Sequence, residues 1–107
     1  MSEPTSTAGS GLRARLLPFP ALPGWRARAS GSWLSRRFAF PSPRELDACR
    51  TAALAAARAS GLEVALFRIS LCLEVVLAVP PEGPGEAHQA LARELAFLVA
   101  GFGGRPS

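Results

Sequence analysis

Only one side chain of this 107-residue chain titrates near neutral pH without help from its surroundings, and that is His88, the sole histidine. General acid/base catalysis at that pH draws first on imidazole, so a single histidine with no partner is a poor basis for it. Glu63 offers a carboxylate that can serve as a base, but no acid partner stands near it. Cys49 and Cys72 have neither a CxxC spacing nor a histidine cluster to complete a metal site. They fall in a predicted helix and a predicted strand and read as buried free thiols, which behave as small hydrophobes. With no Gly-rich phosphate loop either, no metal and no cofactor are expected.

What the chain does have is arginine. Up to Arg44 there are seven arginines against Glu3 alone, a charge of +6, whereas the remainder carries five arginines against seven acids. There is no lysine. A cationic front suits an acidic partner, and the planar guanidinium fork matches carboxylate and phosphate in two-point contacts. A GC-rich genome would also favour arginine and alanine. Arg26, Arg28, Arg36 and Arg37 are the candidate partner-binding cations. With Trp25 and Trp33 among them they approach the pattern of aromatics and arginines that binds single-stranded nucleic acid. Tryptophans anchored in the core would remove that reading, and no nucleic-acid partner is expected.

The elements that must position these residues follow from pattern. Residues 1–24 hold Ser, Thr, Gly and Pro, with three prolines in LLPFPALPGW, and form a tail rather than a helix. Leu16, Leu17, Phe19 and Leu22 make that tail apolar enough to lie across its own domain or a partner. Trp25 to Ala29 and Trp33 to Phe40 read as two strands joined by SerGlySer. In the second, Leu34, Arg36, Phe38 and Phe40 alternate with Ser35, Arg37 and Ala39. The first set should face the core, with Arg36 near its edge.

Ser42, Pro43 and Glu45 form S-x-x-E with proline at the first helical position, which starts a helix at Pro43, and Gly61 supplies its stop. Leu46, Cys49, Ala53 and Ala56 or Ala57 share one face of that helix. Leu62 to Ile69 and Cys72 to Val79 follow as two more strands, rich in Val, Leu, Ile and Phe. The second is apolar on both faces and should be central or covered by a subunit. PPEGPGE is a loop, and Glu86 to Phe102 is a helix with an acid at its positive N-terminus. The order β-β-α-β-β-α predicts an α+β domain over residues 25–102. Its four-stranded antiparallel sheet carries two helices on one face, and residues 103–107 are left as a tail. No apolar run reaches the roughly 18 to 20 residues of a bilayer span, and the N-terminus lacks the layout of a secretory signal. A cytoplasmic protein without a membrane partner is the expectation.

Over about residues 23–100 the chain resembles the pterin-4a-carbinolamine dehydratases. The resemblance rests on Gly24-Trp25 before the first strand, the L-x-R-x-F-x-F run at 34–40, the alanine-rich first helix and Leu91-Ala92 in the last. It implies a His-His-Pro motif at the end of the first helix and a further histidine near the end of the fourth strand. Gly61, Leu62, Glu63 and Val79 stand at those places, and His88 falls near a family aspartate. The resemblance therefore implies the fold without the dehydratase's acid/base groups, and no enzymatic activity is expected.

Within the family, the chain resembles a histidine-less lineage of carboxysome-bearing bacteria that helps to assemble RuBisCO. That implies chaperone-like binding of RuBisCO large subunits during assembly, without nucleotide or metal; Gly61, Leu62 and Glu63 at the vacated pocket join the arginines as candidate partner-binding positions. A homodimer formed by sheet extension is expected, dimer and tetramer both being compatible with the pattern. The alternatives are a 4a-hydroxytetrahydrobiopterin dehydratase and a dimeric coactivator-type protein-binding module.

Overall fold

A computed structural model describes residues 22–28 and 31–107. Most of the expected tail, with Arg13, Arg15, Leu16, Leu17 and Phe19, lies outside the described residues, as does Ala29 at the end of the first predicted strand.

The chain enters through residues 22–25, where Pro23 and Gly24 occupy the central positions of a turn closed by a 3.0 Å hydrogen bond from Trp25 N–H to Leu22 C=O. Gly24 has φ +86°, the left-handed value that this kind of turn demands of its third residue. Strands β1 (Arg26–Arg28) and β2 (Trp33–Ala39) follow, then helix α1 (Pro43–Ser60), strands β3 (Val64–Ile69) and β4 (Cys72–Ala78), helix α2 (Glu86–Gly101) and a short strand β5 (Arg105–Pro106). The strands run β1-β2-β4-β3 across an antiparallel sheet, with β5 also paired to β2. The fold is α+β, with both helices on one face of the sheet.

Both ends of α1 follow from local chemistry. The Ser42 hydroxyl donates to the Glu45 carboxylate and accepts from the Glu45 N–H, while Pro43 begins the helix where a backbone donor would have no partner. Gly61 closes it at φ 72°, its N–H donating to Arg58 C=O at 3.2 Å. The helices and the sheet meet in one core. Leu46, Cys49, Ala53 and Ala56 from α1 and Leu91, Leu95 and Val99 from α2 pack on Phe38, Leu73, Val75 and Leu77 of the sheet. The small residues of α1 let it lie close to the strands, and truncating a fully enclosed side chain such as Leu46 to alanine would cost about 2–5 kcal/mol. Burial pushes the Cys49 thiol up from its ordinary range, as expected of an inert core cysteine.

Five strands stand where four were expected. Residues 103–107 were read as a tail, but Arg105 and Pro106 pair with Ala39 and Phe38 of β2. Gly104 makes this possible. A Cβ there would lie 2.6 Å from Phe40 Cε2 and 2.8 Å from Val99 Cγ1, so only glycine lets the chain leave α2 between those side chains and reach the sheet. Strand β4, apolar on both faces in sequence, is central: β2 pairs with it along seven residues and β3 along six. No helix among the described residues is long and apolar enough to cross a membrane.

Candidate functional site

The end of α1 is occupied by backbone and packing, not by ionisable pairs. After Gly61, the Leu62 N–H donates to Ser60 Oγ at 3.1 Å, and the Ser60 hydroxyl donates to Ala57 C=O at 2.6 Å. Leu62 is half-buried and packs on the core, as does Val79 immediately after β4. Leu62, a candidate partner-binding position, is thus drawn inward, on the same side as Val64 and Leu66, which also pack on the core. Glu63 is exposed, and its C=O accepts from Ala78 N–H at 3.0 Å. His88 is half-buried and caps its own helix: the Gly85 N–H donates to His88 Nδ1 at 3.1 Å. That bond satisfies a backbone donor that the first turn of α2 leaves free.

The arginines divide between the two sides of the sheet, because Arg36 and Arg37 are neighbours in a strand and must point to opposite faces. Arg36 turns to the helix side. Its Nη1 donates to Pro23 C=O at 3.2 Å, its guanidinium lies 5.2 Å from the centre of the Phe38 ring, and Gly24 packs so closely that a Cβ there would be 2.7 Å from Cζ. It ties the entry turn to the sheet, and its donors are partly spent on that task.

Arg26, Arg28 and Arg37 lie on the face that no helix covers. Register places them in rows across the sheet. Arg28 is opposite Trp33, which is opposite Ala78; Arg26, Ser35, Val76 and Ala65 form the next row; Arg37, Glu74 and Phe67 form the third. Directly opposed side chains on one face of a sheet are near neighbours, so the surface changes from cationic at β1 to apolar at β3. Glu74 is the hinge between the two. Its carboxylate takes a 2.8 Å hydrogen bond from Arg28 Nη1 and lies 3.7 Å from Arg37 Nη2. Two hollows share Arg28 and Glu74. One of about 380 Å³ is lined also by buried Ser35, by Arg26, Arg36 and Arg37, and by Ser107; the other, about 450 Å³, is lined also by Trp33, Ala65, Phe67 and Val76. Gly61, Leu62 and Glu63 lie outside both.

Pattern alone placed the arginines but missed Glu74, which reaches Arg28 from 46 residues away, and missed the aromatic pair Trp33 and Phe67. Trp25 packs on the core, whereas Trp33 lies on the uncovered face. No group of three or more potential metal ligands occurs among the described residues.

This architecture has a solved counterpart. A crystal structure described as a transcriptional coactivator/pterin dehydratase from Brucella melitensis superposes with a TM-score of 0.61, at 20% sequence identity over 72% of this chain and 83% of that one. The chain therefore has the pterin dehydratase-like fold. No family model matches its sequence, and no curated protein does.

Proposed function

We propose that this chain is a non-catalytic protein-binding member of the pterin dehydratase-like architecture, acting in RuBisCO assembly by holding large subunits, in association with the carboxysome. The observation that carries the non-catalytic part is the chemistry at the end of α1 and of β4. Gly61, Leu62 and Val79 stand where the resembling dehydratases place imidazoles, Glu63 stands at the proline of their motif, and His88 is engaged in capping α2. Water elimination from a carbinolamine needs a proton donor and a proton acceptor around one substrate, and a lone exposed Glu63 supplies one of the two.

A dimeric coactivator-type role is the second reading, favoured by the name of the Brucella protein and by the same surface chemistry. Co-production decides between them. Assembled RuBisCO should rise when this chain is present, and the large subunit should be retained on the immobilised protein. Unchanged yield with no subunit retained overturns the RuBisCO reading, and turnover of a pterin carbinolamine abolished by Glu63→Ala overturns the non-catalytic one.

A further inference from the structure

The uncovered sheet face carries an arrangement that points to a more specific ligand. Three guanidiniums of this face, Arg26, Arg28 and Arg37, line one hollow together with Glu74 and Ser107, and an apolar hollow bordered by Trp33, Phe67 and Val76 adjoins it across the Glu74 carboxylate. Phe67 is 51% exposed, and Ile69, two residues along the same face of β3, is 47% exposed, so the apolar surface there is continuous.

We infer that this face binds an extended acidic peptide segment of a partner protein, one that presents a carboxylate to the arginines and a neighbouring large apolar side chain to Trp33 and Phe67. The inference deepens the protein-binding reading and rests on it. Charge complementarity selects the first half of the ligand: Arg26 has no acidic partner among the described residues, and Arg37 is held only at 3.7 Å, so both guanidiniums have donors to give to an incoming carboxylate. Exposed apolar area selects the second half, since a leucine or phenylalanine seated between Trp33 and Phe67 removes both partners' surface from water. A single-stranded nucleic acid fits less well. Such a strand needs successive aromatic platforms along a basic track, whereas here the two aromatics border one hollow and the cations are gathered in another.

The test uses the full chain and a short fluorescein-labelled peptide bearing paired glutamates next to leucine, followed by fluorescence anisotropy. The matching peptide with glutamines, the peptide with leucine replaced by serine, and a labelled oligothymidylate are the comparison probes. The glutamate peptide should bind, and each peptide change should weaken it by about tenfold, the size of one charge-assisted contact or one buried apolar side chain. Arg26→Gln with Arg37→Gln, and separately Phe67→Ser, should weaken it similarly while the circular dichroism of the protein stays unchanged, since all three side chains are exposed. Equal binding of the glutamine peptide, tighter binding of the oligothymidylate, or indifference to both sets of substitutions overturns the inference. Should peptide binding behave as expected while RuBisCO large subunit is not retained, the face stands and the RuBisCO reading falls. If the subunit is retained equally by the arginine variant, the face is not its contact.

Discussion

Glu74→Gln separates the two roles of the carboxylate at the centre of the uncovered face. The Glu74 side chain is only 13% exposed, while its partners Arg28 and Arg37 are 53% and 49% exposed. Pairs with half-exposed partners contribute about 0.2–1 kcal/mol each. Glutamine keeps the shape and one oxygen for Arg28, so the loss in stability should be about 1 kcal/mol, seen as a fall of about 4–8 °C in Tm for a domain of this size. Binding of the acidic peptide should move the other way. Removing a negative charge beside a bound carboxylate relieves a repulsion that solvent screening reduces to about 1 kcal/mol, or roughly fivefold in Kd. Thermal melts followed by circular dichroism and anisotropy at low and high salt measure the two effects on one protein preparation. The gain should shrink in high salt, where exposed charges are screened. A stability loss above about 3 kcal/mol would mark Glu74 as part of a buried ionic core. Weaker or unchanged peptide binding would refute the role given to it as a competitor for the arginines.

Gly104→Ala should destabilise the domain by about 1–3 kcal/mol, because the added methyl must displace Phe40 or Val99 from contacts below 3 Å; a denaturant midpoint equal to that of the parent would show that β5 is dispensable. Ser70 lies between β3 and β4 at φ 57°, a left-handed conformation that costs a residue with a side chain about 1–2 kcal/mol, so Ser70→Gly should gain roughly 0.5 kcal/mol after the extra chain entropy of glycine, and a lower Tm would contradict this. Leu62→Asp, which places a charge against the core, should lower Tm markedly as well as affect any partner contact, and an unchanged melt would place Leu62 outside the packed region. Light scattering should report a dimer joined through the outer edge of β3, which pairs only with β4 among the described residues, and a monomeric mass in dilute solution would exclude it.

The elements with strong local chemistry were legible in the sequence. The Ser42-Pro43-Glu45 start and Gly61 stop of α1 are short-range hydrogen-bonding rules, and the two-sided apolarity of Cys72 to Val79 marked that strand as central or covered by a subunit, of which the sheet shows the first. β5 was not legible, since a two-residue Arg-Pro strand has no periodicity and exists because Gly104 leaves room for it. For the site, alternation separated Arg36 from Arg37, but nothing local could show that Arg36 would be tied to Pro23 or that Glu74 would bridge Arg28 and Arg37. Those contacts depend on register between strands distant in the chain, and register is fixed by the whole sheet.

The two margins of the sheet are unequal, and that inequality governs how copies could accumulate. One margin is β2 overlaid by β1 along residues 33–35 and by β5 at residues 38–39, short pieces that carry Arg26, Arg28, Arg105 and a proline. Charges and proline on brief outer segments discourage a further strand from adding there. The other margin is the six-residue β3, bonded only to β4 among the described residues. A fibril needs two adhesive sides on every copy, one to receive and one to pass on. A chain with one such side consumes it when a second copy joins, so raising the concentration would increase the number of pairs and leave their length unchanged.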